Sequence, residues 1–306
     1  MKGQSCHMQS DKKVQILMST YNGERYLAEQ LDSIFRQTWP NIEVLVRDDG
    51  SKDATLEILK KYQEQHDNLY VFPGKNEGLT RSFLELIQKC DADYVAFSDQ
   101  DDYWLENKIE VAVERLEAID GPALYCSNQI LVDQDLNRLP EGEIPDAVPG
   151  FGNALIESMC TGCTAVMNRA LIDEVKGHLP KNAIWHDWWC YLVASYLGTV
   201  IFDKGAYILY RQHGDNQLGS SRSALVMIKN KWKFLKKTRG MLGKQIANFA
   251  KEYHGNKEKD ELVQLLLASK TSFAARIRLI FNKKIYRQKR LDNIVVKGLY
   301  LINRML

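Results

Sequence analysis

The chain has 306 residues, of which 45% are hydrophobic and 26% are charged, and 41 Lys and Arg against 39 Asp and Glu give a formal net charge of +2. This composition is typical of a globular protein and excludes a disordered or fibrous one. The length allows one large domain or two ordinary ones, with a core that needs no disulfides.

The near-neutral total conceals two regions of opposite charge. Residues 222–306 contain 21 Lys and Arg but only 5 Asp and Glu, a net charge of +16, whereas the remainder carries −14. Segregated basic charge of this kind indicates an anionic partner. The overall balance therefore does not exclude one.

The six cysteines are too few and too scattered for a secreted disulfide framework, so reduced thiols in the cytosol are expected. Cys160 and Cys163 form a CxxC pair, but no second pair or spaced histidines follow, which favours a structural turn over a zinc site. The chain has no run of about 18 apolar residues and no apolar signal core near its start. We therefore predict a cytoplasmic protein with a disordered leader over residues 1–13.

Strand-like and helix-like segments alternate between residues 14 and 127, which predicts a mainly parallel sheet covered by helices. Apolar runs predict strands at residues 14–19, 42–47, 69–72 and 94–98. The intervening helices are predicted to bury three apolar faces: Leu27, Leu31, Ile34 and Phe35; Leu56, Leu59 and Tyr62; Phe83, Leu84 and Ile87. Residues 136–162, rich in Pro and Gly, are expected to include a mobile loop. Helical patterns return beyond residue 219.

Two acidic clusters directly follow predicted strands. Asp48 and Asp49 come after the second strand, and Asp99, Asp101 and Asp102 come after the fourth. In α/β sheets the crevice beyond the carboxyl ends of the strands binds ligands, and an acid there can accept a base N–H or a ribose hydroxyl. The second cluster suits Mg²⁺ or Mn²⁺ bound together with diphosphate oxygens. Turn and helix-cap chemistry, and a solvated acidic loop, are the structural alternatives.

Two further polar segments lie in the second half of the chain. Asp187 and His186 stand among three tryptophans at residues 185–189. Aromatic walls suit sugar faces, and desolvation would raise the pKa of Asp187 toward that of a general base. Core packing explains Trp188 equally well. Arg211 and His213 follow a strand-like run and suit a phosphate clamp and a metal ligand, although a lone loop histidine is more often neither.

Taken in order, these segments resemble the family 2 glycosyltransferases of the GT-A fold. The resemblance covers about residues 14–218 and lies in Ser-Thr-Tyr-Asn at 19–22, Asp-Asp-Gly-Ser at 48–51, Asn76 with Gly78 and Arg81, Asp-Gln-Asp-Asp at 99–102, Thr-Gly at 161–162, His-Asp-Trp at 186–188 and Arg-Gln-His at 211–213. The segments at 98–104, 186–188 and 210–213 most resemble rhamnosyltransferases that build cell-wall or capsular polysaccharides.

The resemblance implies an α/β protein with a Rossmann-like mixed sheet of the GT-A type in residues 14–221, followed by a basic helical region in residues 222–306. The implied activity is inverting, metal-dependent transfer of a sugar, with dTDP-rhamnose as the expected donor, to a hydroxyl of a lipid-linked saccharide. The alternatives are a glucosyl- or galactosyltransferase using a UDP-sugar and a non-catalytic subunit that binds sugar nucleotides. A nucleotidyltransferase would show a Gly-rich loop near the first strand, where only Gly23 stands.

The resemblance also implies individual roles. Asp187 matches the catalytic base, Asp101 the principal ligand of Mg²⁺ or Mn²⁺, and His213 completes the metal site. Contacts with the nucleotide-sugar are implied for Thr20, Tyr21, Asn22, Asp49, Asn76, Arg81 and Asp99. Acceptor or supporting roles are implied for His186, Trp188 and Arg211.

The basic region mixes lysines with Trp232, Phe234 and Leu235 between residues 229 and 237. This pattern fits a helix lying on an anionic leaflet and predicts peripheral association with the inner face of the cell membrane, where a lipid-linked acceptor would be found. A solvated helical face and a homo-oligomer contact are the alternatives. Nucleic acid is not expected as a partner, because no reading motif accompanies the charge.

Overall fold

A computed structural model describes residues 11–140, 147–212 and 240–303 of the chain. Within these residues, eight strands form one mixed sheet in the order β3-β2-β1-β4-β7-β6-β8-β5. The strands are β1 Val14–Thr20, β2 Ile42–Asp48, β3 Leu69–Pro73, β4 Tyr94–Ser98, β5 Tyr103–Trp104, β6 Ala123–Val132, β7 Val166–Asn168 and β8 Thr199–Arg211.

Helices cover both faces of this sheet and continue beyond it. Those in the described residues are α1 Leu27–Phe35, α2 Thr55–Gln63, α3 Leu79–Lys89, α4 Lys108–Glu117, α5 Phe151–Ala154, α6 Arg169–Gly177, α7 His186–Leu197, α8 Met241–Glu252, α9 Lys257–Ala268, α10 Phe273–Phe281 and α11 Arg290–Leu301, with a 3₁₀ turn at Gly162–Thr164. None of the helices in these ranges is long and apolar enough to cross a membrane.

The half of the sheet formed by β1 to β4 is parallel, as the alternating segments predict. β1 pairs in parallel with both β2 and β4, and β2 pairs in parallel with β3. Every residue of β1 is buried, which is the mark of a strand covered on both faces. The four predicted strands are confirmed to within one residue at each end. The other half is mixed, because β7 runs antiparallel to both β4 and β6.

The predicted helix faces are confirmed for α3 but only partly for α2. Phe83, Leu84 and Ile87 are all buried in α3. In α2, Leu59 is fully buried whereas Leu56 is 39% exposed. The buried side of α2 includes Thr55, and successive residues are about 100° apart around a helix. Leu56 is therefore turned away from the sheet.

Part of the segment expected to be mobile is instead packed against the C-terminal region. Residues 151–156 include α5, and each of them is buried. Asn153 donates a hydrogen bond to the carbonyl of Tyr286 at 3.1 Å, and Glu157 pairs with Arg287 at 2.8 Å. These long-range contacts fix a stretch whose local sequence contains only turn signals. Residues 141–146 of the same segment lie outside the described residues.

The C-terminal helices belong to the same hydrophobic core as the sheet. Phe249 of α8 packs edge-on against Trp189 and Tyr196 of α7 and stacks on Tyr253, with centroid distances of 6.0, 5.4 and 4.9 Å respectively. Leu266 of α9 joins the same core cluster. Residues 240–303 are therefore an integral part of the fold. The boundary predicted between residues 221 and 222 lies outside the described residues.

The last residues of the predicted leader contact the sheet. The carbonyl of Lys12 accepts a hydrogen bond from Nε1 of Trp39 at 3.0 Å, and the backbone N–H of Lys13 donates to Asp93 at 2.8 Å. Residues 11–13 are therefore ordered rather than disordered. The rest of the predicted leader lies outside the described residues.

Substituting Gly152 tests the docking of the C-terminal region. A Cβ added at Gly152 would lie 1.7 Å from the carbonyl oxygen of Lys284, so that Gly152→Ala forces the two segments apart. We expect a loss of about 1–3 kcal/mol in the free energy of unfolding, measured by urea denaturation. Gly177→Ala is the matched control, because a Cβ there meets no atom within 4 Å. Equal stability of the two variants would contradict this packing.

Candidate active site

The parallel strands bring the predicted site residues to one edge of the sheet. Thr20 at the end of β1 pairs with Asp48 at the end of β2, and Met18 pairs with Ser98 at the end of β4. The two acidic clusters therefore begin at the same edge, on β2 and β4, which lie on either side of β1. This is the crevice in which parallel α/β sheets bind ligands.

Asp48 builds the turn that follows β2. One carboxylate oxygen accepts the backbone N–H groups of Gly50 and Ser51, and the other accepts the hydroxyls of Thr20 and Ser51. The carboxylate is fully buried, and Thr20 is 1% exposed. Gly50 has φ 83°, a left-handed conformation that a side chain would strain. Thr20, which the resemblance places at the nucleoside, thus holds the neighbouring turn.

Asp49 anchors the loop that leads into α3. It accepts the backbone N–H groups of Glu77 and Gly78 at 3.0–3.2 Å and pairs with the guanidinium of Arg47. Burial opposes ionisation, but the hydrogen bonds from Arg47, Glu77 and Gly78 outweigh it and lower the pKa of Asp49 below its usual value. Asp49 is 3% exposed. If Asp49 also accepted a hydrogen bond from the base of a nucleotide, that bond would be additional to these contacts within the protein.

Gln100 ties the loop after β1 to the acidic loop after β4. Its amide oxygen accepts the backbone N–H of Tyr21 at 2.8 Å, and its amide nitrogen donates to the carbonyl of Tyr21 at 3.2 Å. Asn22 is left-handed with φ 48°, and its side chain accepts the N–H of Lys52 at 2.9 Å. Tyr21 and Asn22 both remain exposed. Sequence reasoning assigned no role to Gln100, whose only signal was its position inside the acidic cluster.

Asn76 and Arg81 are exposed next to the loop that Asp49 anchors. Arg81 forms ion pairs with Glu77 at 3.4 Å and Glu85 at 3.7 Å along α3. Exposed pairs of this kind are weak, so the guanidinium is available to a phosphate.

Asp99, Asp102 and Cys163 form a cluster beneath the same edge. One ligand atom from each lies within 4.8 Å of the other two. Asp102 is 1% exposed, and its Oδ2 has no hydrogen-bond partner among the described residues. Burial and the charges of Asp101 and Asp187 raise the pKa of Asp99 to about 7. The acids of this cluster are therefore short of compensating donors, unlike Asp48 and Asp49.

These residues fit a divalent cation. Carboxylate oxygens are the ligands that Mg²⁺ and Mn²⁺ prefer, and the unsatisfied oxygen of Asp102 shows that the cluster has coordinating capacity left. Asp99 and Asp101 are half-buried, whereas Asp102 and Cys163 are buried, so the first two are the acids that solvent reaches. His213, the second predicted metal ligand, lies outside the described residues.

Lys108 is a buried cation near these acids that sequence reasoning missed. It is 2% exposed, and its Nζ lies 3.6 Å from the ring centroid of Trp104. Burial lowers the pKa of Lys108 to about 7, although the charges of Cys163 and Asp102 favour the ammonium. The helix dipole disfavours a cation in the first turn of a helix. The position of Lys108 at the start of α4 was therefore the one sign in the sequence that this residue is not an ordinary surface lysine.

Asp187 lies in the first turn of α7. Its carboxylate accepts the backbone N–H of Trp188 at 2.7 Å and that of Gly162. Burial nevertheless raises the pKa of Asp187 to about 6. A Cβ at Gly162 would come within 3.4 Å of Asp187 and 3.3 Å of His186. Gly162 therefore lets the 3₁₀ turn approach both side chains closely.

His186 is enclosed by aromatic rings beside Asp187. It stacks on Phe83 at 3.9 Å and meets the edge of Phe97 at 4.7 Å. Burial lowers the pKa of His186 to about 3, so the ring is neutral. In the described residues neither ring nitrogen has a hydrogen-bond partner. Trp188 is 7% exposed and donates to the carbonyl of Ala154 at 2.7 Å, as core packing predicts.

Arg211 holds the acidic loop in place rather than offering a phosphate clamp. Its backbone N–H donates to Asp102 at 3.1 Å, and its Nε donates to the carbonyl of Asp101 at 2.8 Å. The guanidinium also bonds Gln134 and Glu29 and lies 4.4 Å from the ring centroid of Tyr26. Arg211 is 2% exposed. The N–H groups of Arg211 are therefore bonded to the protein itself. This agrees with a supporting role for Arg211 and not with direct binding of a phosphate.

Comparison with known proteins agrees with this geometry. The model of glycosyl transferase family 2 matches residues 15–176. A dTDP-rhamnosyl transferase, RfbG of Shigella flexneri, is 32% identical over 70% of this chain and 80% of its own. The chain belongs to glycosyltransferase family 2.

Solved structures show the same fold at low sequence identity. The TarS 1–349 structure from S. aureus has a TM-score of 0.58 and 18% identity, covering 96% of this chain and 81% of that one. The mannosyltransferase PcManGT from Pyrobaculum calidifontis, in complex with GDP-Man and Mn²⁺, has a TM-score of 0.53 and 16% identity, covering 99% and 89%. The architecture is therefore the GT-A fold, and the protein is a glycosyltransferase.

Removing the charge of Asp49 tests its role in the loop before α3. We expect Asp49→Asn to lower the free energy of unfolding by about 1–3 kcal/mol at neutral pH, because the buried Arg47 loses one of its two carboxylate partners and keeps only Glu85. Since the pKa of Asp49 is lowered, the wild-type advantage is present at neutral pH and lost as the pH falls through that lowered pKa. Urea denaturation measures both effects. Asp67→Asn, at an exposed position, is the control, and an equally small loss in both would contradict the role.

Proposed function

We propose that the protein is an inverting rhamnosyltransferase that uses dTDP-rhamnose and transfers the sugar to a hydroxyl of a lipid-linked saccharide in cell-wall or capsular polysaccharide synthesis. The observation that carries the proposal is a carboxylate with a raised pKa, Asp187, within electrostatic reach of the acidic loop at Asp99. The 32% identity with a dTDP-rhamnosyl transferase supports the choice of sugar.

Asp187 acts as the catalytic base in a single displacement. Its carboxylate takes the proton of the acceptor hydroxyl while that oxygen attacks the anomeric carbon and the bond to the nucleoside diphosphate breaks. A raised pKa makes the carboxylate a stronger base, and backbone N–H groups from Gly162 and Trp188 fix its orientation. The mechanism needs no carboxylate nucleophile, in contrast to a retaining enzyme.

The donor lies across the carboxyl edge of the sheet. Exposed Tyr21, Asn22 and Asn76 contact the nucleoside, and the exposed guanidinium of Arg81 binds the diphosphate. Thr20 and Asp49 shape this surface from below, and Asp99 binds the ribose or joins the metal shell. Asp101 with His213 would hold Mg²⁺ or Mn²⁺, which would supply positive charge to stabilise the leaving diphosphate. His186, Trp188 and Arg211 are buried and support the site.

The basic region 222–306 holds the enzyme on the anionic cytoplasmic face of the membrane, where a lipid-linked acceptor is presented. The net positive charge of this region supports peripheral association. A homo-oligomer contact through the same region is compatible with catalysis by one chain.

A donor screen tests the proposed specificity. Release of nucleoside diphosphate is measured with dTDP-, UDP- and GDP-sugars in the presence of Mg²⁺ or Mn²⁺ and again with excess chelator. We expect dTDP-rhamnose to be preferred and the chelator to abolish turnover. A UDP-sugar is the second candidate, because TarS has been solved with UDP-GlcNAc. Preference for it, or full activity without metal, contradicts the proposal.

Substituting Asp187 tests the base. We expect Asp187→Asn to lower kcat by at least about 100-fold, because general-base catalysis contributes on this scale, while the affinity for the donor stays within a factor of about two. Isothermal titration measures donor binding, and product formation measures kcat. Asp120→Asn, at an exposed position, is the control. Normal turnover in Asp187→Asn would remove Asp187 from the chemistry.

A further inference from the structure

The last helix, α11, presents an apolar strip to solvent. Its outward positions are Leu291, Ile294, Val295, Gly298, Leu301 and Ile302. At about 100° per residue these six positions fall within an arc of about 120°. Leu291 is 76% exposed and Ile294 is 67% exposed. The helix is thus apolar on its outer side as well as on the side that packs into the protein.

The inner side of α11 already packs into the protein core. The outer strip therefore takes no part in core packing. Val296, Leu299 and Tyr300 are at most 7% exposed. Burying apolar surface is favourable, and a continuous exposed strip therefore marks a contact surface. Single exposed apolar residues scattered over a surface do not indicate a contact surface. The apolar residues of α11 instead recur with helical spacing and form one strip.

The neighbouring helix α10 adds two large exposed aromatic side chains. Phe273 is 61% exposed and Phe281 is 77% exposed. The two helices contact each other directly. Aromatic residues are favoured at the boundary between lipid headgroups and acyl chains. Exposed apolar side chains therefore occur on both of these neighbouring helices.

Positive charge borders the apolar strip along one side. Arg290 and Lys297 border the strip on α11, and Arg278 is exposed on α10. Asp292, the acid of α11, lies outside the strip, next in angle to the buried Leu299. Residues 240–303 contain 13 Lys and Arg against 5 Asp and Glu. A partner of this surface must therefore combine apolar groups with negative charge.

An anionic lipid leaflet has both properties. An amphipathic helix in a membrane interface buries its apolar side among the acyl chains while bordering lysines and arginines reach the headgroups. A second copy of the chain fits less well, because it would bring equal positive charge.

We propose that the outward face of α10 and α11, centred on Ile294 and Val295, is the surface that inserts into an anionic membrane. This deepens the membrane association in the proposed function and rests on it. It also places the contact in residues 273–302, separate from the lysine-rich segment at residues 229–237.

Vesicle co-sedimentation of the full chain tests the proposal. The variant Ile294→Glu with Val295→Glu replaces two apolar groups of the strip by charges and leaves every lysine of residues 229–237 unchanged. With vesicles of equal parts phosphatidylglycerol and phosphatidylcholine, we expect the partition coefficient to fall at least about tenfold, because two buried apolar side chains are lost. Wild-type binding should also weaken with added salt and with phosphatidylcholine alone.

Leu56→Glu is the matched control, since Leu56 is exposed on α2, and it should bind vesicles as the wild type does. Thermal unfolding confirms that all variants fold, as expected for exposed positions. Undiminished binding by the double variant overturns the proposal, as does equal wild-type binding to neutral vesicles. A wild-type dimer that the double variant converts to monomer, without vesicle binding by either, would assign the surface to a second copy.

The assay contains no sugar donor, so its outcome is independent of the transfer reaction. Failure of the donor screen with intact vesicle binding would remove the proposed chemistry and leave the surface. If the wild type does not bind vesicles but transfers the sugar normally to a soluble acceptor, the proposed surface is removed and the proposed chemistry remains.

Discussion

The arrangement of this protein depends on how buried carboxylates are compensated at the carboxyl edge of the parallel strands. Asp48 is satisfied by four hydrogen bonds and Asp49 by Arg47 and two backbone N–H groups. At Asp99 and Asp187 burial outweighs the few donors present and raises the pKa of each. One sheet edge thus holds acids of two kinds, and the difference lies in their donors.

This difference in hydrogen-bond donors divides the acids into a group that stabilises loops and a group that is free to take part in chemistry. Compensated acids rigidify the loops after β2 and before α3, the second of which carries Asn76, a proposed donor contact. Uncompensated acids retain the capacity to take a cation or a proton, because a buried charge without partners is costly. Arg211 and Gln100 connect the two groups by fixing the acidic loop to neighbouring segments. The site is therefore preorganised by residues that need not touch the substrate.

The sequence predicts the parallel half of the sheet well because β1 to β4 are apolar runs separated by helical patterns, and two of them, β2 and β4, are followed by acids. Family resemblance adds the proposal that Asp187 is the base. Neither reveals that Thr20 and Arg211 are turned inward, since burial of a polar side chain depends on partners such as Asp48 and Glu29 that are distant in the chain. Lys108 and the packing of residues 151–156 were missed for the same reason, because their contacts form only in the folded protein.

The most direct test of this account is the pH dependence of kcat/KM for sugar transfer. Asp187 must be ionised to accept the proton, and its pKa is raised to about 6. The account predicts constant kcat/KM above this value and a fall of about tenfold per pH unit below it, with the protein still folded. A profile that stays flat to about pH 4, the ordinary pKa of an aspartate, would contradict the account, because the base would then be a carboxylate that burial does not perturb.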